Sequence, residues 1–267
     1  MNEYTIHGGL KGINRLEVLS RTVGPSTNAF LNANQDALLG SCLDLGCGLG
    51  TVSLNIAQRV QGRGEVLGLD KEALNVAYAT DMAAAQQIEN VSFVCKDVFE
   101  FNEISSCNLV YARFLCSHMN NPEKLLRHVF RNIAPGGRVL IEDTDFSGHF
   151  CYPACAGFES YVQLYQRLLH QRGADANIGQ RLPQLLKEAG FQDITVQIAQ
   201  PVHAKGEGKL MAELTMAGIS KALIQEQITT QEEIDRILFS LKKFRENVDS
   251  LISLPRIIQV SASKPKQ

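Results

Sequence analysis

The sequence predicts a doubly wound α/β fold, and three observations carry that prediction. Short apolar runs alternate with stretches of helical periodicity between residues 41 and 145. The first run ends in three alternating glycines, Gly46, Gly48 and Gly50. Each of the first three runs has an aspartate at or just past its end: Asp44, Asp70 and Asp97. Strands alternating with helices build βαβ units, and right-handed crossovers bring the loops at the strands' carboxyl ends to one edge of the sheet. Ligands of open α/β sheets bind at that edge.

The elements follow in order. Residues 1–40 read as a helical cover: Leu10, Ile13, Leu16 and Leu19 recur at helical spacing, as do Phe30, Leu31 and Leu38 later. Gly24-Pro25 is expected to break this stretch, with Ser26 capping a second helix. The rest, 41–267, reads as one domain. Strands are expected at 41–45, 64–70, 91–95, 108–112 and 138–142, and helices at 51–60, 72–87 and 123–132. The rhythm then changes. Segment 146–178 is loop and helix rich in aromatic residues, and 208–250 is a long helical stretch; both are expected to be lid insertions. Between and after them lie a helix at 182–189 closed by Gly190, a strand at 193–199 and a last strand near 257–261.

Composition excludes several classes. With 267 residues, 45% hydrophobic and 20% charged, the chain has the make-up of an ordinary globular protein that buries about 70–75% of its unfolded surface. Lys plus Arg (26) nearly balance Asp plus Glu (28), so no basic footprint points to nucleic acid or an anionic membrane. No run approaches the roughly 18 apolar residues of a membrane span, and the polar start MNEYTIHGGLKGINR lacks a signal-peptide core. Seven cysteines, an odd number without a CxxC pair, fit a reduced, cytoplasmic setting. Cys151, Cys155 and His149 are too few for a convincing metal cluster, and no metal is expected.

The chemistry concentrates at Leu43-Asp44-Leu45-Gly46-Cys47-Gly48-Leu49-Gly50-Thr51, a strand running through a glycine turn into a helix. Missing Cβ atoms let such a backbone approach a ligand closely. A dinucleotide site would read G-x-G-x-x-G, but Thr51 stands at the third glycine, and no Gly-Lys-Ser/Thr makes a Walker loop. The acid Asp44 before the turn suits a cationic ligand better than a phosphate. Asp70, at the end of the second strand, is placed to accept bonds from ribose hydroxyls. Asp97 after the third is placed to accept from an adenine amino group.

These segments resemble the class I S-adenosylmethionine-dependent methyltransferases. LDLGCGLG is similar to that family's first motif, GEVLGLD to its second, NVSFVCKD to its third and NIAPGGRVLIED to its late PGG-strand motif. The resemblance implies a Rossmann-like seven-stranded sheet of order 3-2-1-4-5-7-6, S-adenosylmethionine as cofactor, and methyl transfer. It makes Asp44, Gly46, Cys47, Gly48 and Gly50 cofactor-binding, with Asp70 at the ribose, Lys71 next to the adenine, and Asp97 and Val98 at the adenine. The flanks are similar to members acting on small molecules, which implies cofactor contacts from Tyr4 and from Arg113 at the end of the fourth strand. Arg15 is a candidate for the methionine carboxylate, which a guanidinium holds bidentately, or a solvated charge on an amphipathic helix.

A sulfonium already makes its methyl group electrophilic, so positioning supplies much of the rate and a general base is needed only where the acceptor must lose a proton. His118, after the fourth strand, is the candidate base, or a packed histidine. Asp143 and Asp145 are candidates for holding a substrate amine, and Phe150 and Tyr152 for lining an apolar acceptor pocket. Phe158, Tyr161 and Tyr165 either join that lining or pack a helix. Leu210, Met211, Leu214 and Met216 form a lid or a homodimer face. The expected function is methyl transfer to N, O or C of a small organic molecule; a non-catalytic module that keeps the cofactor site is the alternative.

Overall fold

The computed structural model describes residues 10–101 and 107–266. α1 (Leu10–Ala33) is one helix with Pro25 inside it, which corrects the expected break at Gly24-Pro25 and the cap at Ser26. An interior proline costs about 3 kcal/mol. Val18, Val23, Phe30 and Leu31 are all essentially buried along the same helix, at about 1.5–3 kcal/mol each, so tertiary packing outweighs the proline. Ser26 does not cap; its hydroxyl turns back to the carbonyl of Val23 at 2.7 Å.

The chain then runs through β1 (Gly40–Leu45), α2 (Thr51–Val60), β2 (Gly64–Asp70), α3 (Ala73–Ala85), β3 (Val91–Cys95), β4 (Leu109–Arg113), α4 (Pro122–Asn132) and β5 (Arg138–Asp145). It continues as β6 (Cys151–Tyr152), α5 (Ala156–Gln171), α6 (Leu182–Ala189), β7 (Gln192–Ala199), β8 (Val202–His203), α7 (Met211–Gln225), α8 (Gln231–Glu246), β9 (Leu251–Ser253) and β10 (Arg256–Ser263). The main sheet has the order β3-β2-β1-β4-β5-β10-β7, with β10 antiparallel to both neighbours. Counting its strands along the chain, this is 3-2-1-4-5-7-6. A second sheet, β6-β9-β8, was not foreseen, because strands of two or three residues carry no readable period.

Period-two alternation sends the strands' side chains to two cores. Leu43, Leu45, Val110 and Ile141 meet α4 and α6 on one face. Cys42, Val66, Leu109 and Leu140 meet α1 and α2 on the other. The expected long stretch at 208–250 is two helices, and Thr230 starts the second by accepting a bond from the amide of Glu233 at 3.2 Å. α5, α7 and α8 form a lid with its own core of Phe158, Leu168, Met216, Ile219, Leu223 and Ile237. Met216 is buried in the lid core, and Met211 is buried against Val18 and Val23 of α1. β10 begins opposite the end of β5, where Arg256 pairs with Asp145, so the lid insertions enter and leave at the sheet edge that carries the glycine turn. Among the described residues no helix is long and apolar enough to cross a membrane.

Candidate active site

The glycine turn is tied to the neighbouring strand. The amides of Gly46 and Cys47 donate to the carbonyl of Leu69 at 2.8 and 3.0 Å, and that of Gly48 donates to Oδ2 of Asp70 at 2.8 Å. All three glycines have positive φ. Two of them have different reasons to be glycine. A Cβ on Gly50 would stand 2.7 Å from Cβ of Ala79 and 2.8 Å from Phe93, whereas one on Gly48 would meet nothing within 4 Å. Gly50 thus permits helix and strand to pack, while the open side of Gly48 belongs to the cavity wall.

That cavity, of about 300 Å³, runs from the ends of β1, β2 and β3 to the lid. Asp70 and Asp97 stand on its wall, each already accepting a backbone bond, from Glu72 at 2.9 Å and Phe99 at 2.8 Å. Lys71 and Val98 line it beside them. Asp44 is 2% exposed. Burial pushes its carboxyl up to about 7, against the pull of the Ser53 hydroxyl, 2.6 Å away, and the Arg113 charge. Arg113 also reaches Thr27 of α1 at 3.1 Å. α1 lies across the mouth, fastened by Tyr78 to Glu17 (2.6 Å), Ser20 to Thr51 (2.7 Å) and Arg21 to Glu207 (2.8 and 2.9 Å). These exposed contacts fix orientation more than they add stability.

The far wall comes from the lid. Phe146 stacks on Tyr165 with centroids 4.2 Å apart, and His149 lies 4.7 Å from Phe146 and 5.4 Å from Phe158. Both ring nitrogens of His149 are sealed from solvent without a hydrogen-bond partner, and this burial pushes the imidazole down to about 3. His118 sits on the single turn Cys116–His118 after β4. Burial and the charges of Arg15, Lys71 and Arg172 push it down to about 3. Both imidazoles are therefore neutral near pH 7, able to accept a proton-bearing group but weak as bases in the ligand-free protein.

The structure brings together Arg15, Asp44, Gly46, Cys47, Gly48, Asp70, Lys71, Asp97, Val98, Arg113 and His118 on one cavity, with Gly50 behind the turn. Tyr4 lies outside the described residues. The four expected acceptor-pocket residues are not on the cavity wall, and each has a physical reason. Asp143 is fully buried and accepts bonds from the amides of Ser117 and Thr144. Asp145 is held by Arg256 at 2.7 Å and by Ser147. Phe150 and Tyr152 face solvent at 44% and 69% exposure. In their place stand Phe146, His149, Tyr161, Tyr165, Arg172 and Thr215. The tyrosines were legible as helix-spaced aromatics, while no spacing marked Thr215 or Arg172.

Residues 39–238, most of the chain, match a family described as a methyltransferase domain, and the chain belongs to that family. Phosphoethanolamine N-methyltransferase 1 of Arabidopsis thaliana is 27% identical over 165 residues, 58% of this chain and 29% of that protein. Pavine N-methyltransferase of Thalictrum flavum subsp. glaucum is 30% identical over 116 residues, 43% of this chain and 31% of that protein. The chain thus spans under a third of the length of these curated relatives. Among solved structures, phosphoethanolamine N-methyltransferase 2 of Haemonchus contortus, in complex with phosphomonomethylethanolamine and S-adenosylhomocysteine, superposes with a TM-score of 0.53 at 20% identity. That match takes in 85% of this chain and 49% of the other, and is a likeness of fold.

Proposed function

We propose that this chain is a cytoplasmic S-adenosylmethionine-dependent methyltransferase that moves a methyl group to N, O or C of a small organic molecule. The observation that carries the reading is the Gly48 turn, open on its cavity side, flanked by Asp44, Asp70 and Asp97 at three successive strand ends. The group fits this donor set: an open cradle without a Cβ for the backbone approach, carboxylates for ribose and adenine, and a buried acid for a cationic end. When bound, the sulfonium supplies an electrophilic methyl carbon.

The chain's own residues do the rest. The backbone at Gly46, Cys47 and Gly48 would hold the methionine part, with Asp44 as the acid for its ammonium and the Arg113 charge favouring the ionised form of Asp44. Asp70 would accept from the ribose hydroxyls, and Lys71, Asp97 and Val98 would hold the adenine. α1 and the lid aromatics exclude water and align the acceptor, the main catalytic demand of this chemistry. His118, neutral at the cavity wall, can accept a hydrogen bond from an acceptor atom that carries a proton.

Calorimetry with S-adenosylmethionine and S-adenosylhomocysteine tests the reading. Binding in the micromolar range that is lost in Asp70→Ala supports it, and no binding by wild type at millimolar ligand refutes it. Transfer of labelled methyl into any small molecule of a cell extract separates an enzyme from a non-catalytic module.

A further inference from the structure

Three hydrogen-bond donors from three helices meet on the lid side of the cavity. Arg15 of α1 donates Nε–H to Oγ1 of Thr215 on α7 at 3.3 Å, and the hydroxyl of Tyr161 on α5 faces both that threonine and the Arg15 charge. All three residues line the cavity. Among the described residues no carboxylate lies within ion-pairing distance of Arg15. Burial holds the Tyr161 phenol up at about 12, so it stays a donor across the neutral range.

The distribution of acids sharpens the point. The carboxylates lining the cavity, Asp44, Asp70, Glu72 and Asp97, all stand at or just past the ends of β1, β2 and β3. Beyond β4 the described lining carries Arg172, His118 and His149 and no acid. A cationic amine entering there meets no carboxylate to pair with and a guanidinium that repels it. An oxyanion meets a guanidinium, a phenol and a hydroxyl already converging, with the Phe146–Tyr165 stack to hold an apolar body.

We propose that Arg15, Tyr161 and Thr215 form an oxyanion cradle for the methyl acceptor, which therefore carries a carboxylate or phosphate on an apolar body. This rests on the methyltransferase reading and narrows it to an anionic acceptor. It differs from the sequence expectation for Arg15, the methionine carboxylate, in what loss of the guanidinium does.

The test uses the protein saturated with S-adenosylhomocysteine and four probes that share a phenyl ring: phenylacetate, phenyl phosphate, phenylacetamide and phenethylamine. By calorimetry, at least one anion binds about tenfold or more tightly than the amide, and the amine binds weakest. Arg15→Gln abolishes that preference while S-adenosylhomocysteine affinity stays within about threefold of wild type and the melting curve is unchanged. Preference for phenylacetate assigns a carboxylate, and preference for phenyl phosphate a phosphate. The proposal is overturned if the amide or amine binds as tightly as the anions, or if none of the four binds the loaded protein. It is also overturned if Arg15→Gln weakens S-adenosylhomocysteine and leaves the anion preference intact. Failure of the methyltransferase reading is distinguishable, because wild type then never takes up S-adenosylhomocysteine.

Discussion

The amide of Gly48 and the carboxylate of Asp70 are joined at 2.8 Å, so the acid at the end of β2 also braces the glycine turn after β1. This bracing and the proposed ribose contact separate by substitution. Asp70→Asn keeps an oxygen for the Gly48 amide but loses the charge; Asp70→Ala loses both. Hydrogen bonds involving a charged group are worth about 1.5–3 kcal/mol. S-adenosylhomocysteine affinity is therefore expected to fall about tenfold in Asp70→Asn with little change in Tm, and about a hundredfold in Asp70→Ala with a lowered Tm. Calorimetry and thermal melting on the same samples check this; equal losses in both variants would remove the bracing role.

Gly48 and Gly50 are expected to fail in different ways when changed to alanine. Both positions have positive φ, which costs a side chain about 1–2 kcal/mol. At Gly50 the new methyl also collides with Ala79 and Phe93, for a total loss of roughly 2–4 kcal/mol of stability. At Gly48 the methyl meets no protein atom within 4 Å but enters the cavity. Gly48→Ala should keep most of its denaturant midpoint and lose cofactor binding; Gly50→Ala should lose the midpoint first.

The contrast between those glycines marks what was legible in the sequence. The turn and its flanking acids follow from local pattern, and the sheet order from the family resemblance that those motifs carry. Where patterns are local but the outcome is tertiary, the reading went astray. Pro25 reads as a helix end, yet α1 continues because Val18 and Val23 before it and Phe30 and Leu31 after it are buried. Asp143 and Asp145 read as strand-end ligands, yet backbone amides and Arg256 claim them. The cradle of Arg15, Tyr161 and Thr215 joins residues 200 apart, and no single-sequence period links such positions.

Cofactor affinity should depend on pH through Asp44. Its carboxyl lies at about 7 in the folded protein because burial disfavours the charge. An ammonium group placed beside it favours the ionised form. Affinity is thus full above about pH 7 and falls as pH drops through that value, by up to about tenfold per pH unit. His118 and His149, both near 3, add no inflection in that window. In Asp44→Asn the affinity should be weaker at about pH 8 and flat down to about pH 6. An S-adenosylhomocysteine titration series across that range reads it directly; an unchanged slope in the variant would exclude Asp44 as the source.

His149 leaves two buried ring nitrogens without partners among Phe146, Phe158 and Tyr161. An unsatisfied buried polar atom costs about 1–3 kcal/mol, so His149→Phe should stabilise the ligand-free protein by roughly that amount. The pH dependence gives a second readout. The folded protein keeps this ring neutral down to about 3, whereas the ordinary value is 6.5. The unfolded chain therefore takes up a proton that the folded chain refuses, and the stability present above about pH 6.5 is lost as pH falls toward 3. Phenylalanine takes up no proton, so the variant's urea midpoint should decline less between about pH 6.5 and about pH 4 than that of wild type. Parallel decline of the two, or a lower midpoint for the variant at neutral pH, would show that the ring nitrogens are satisfied in solution.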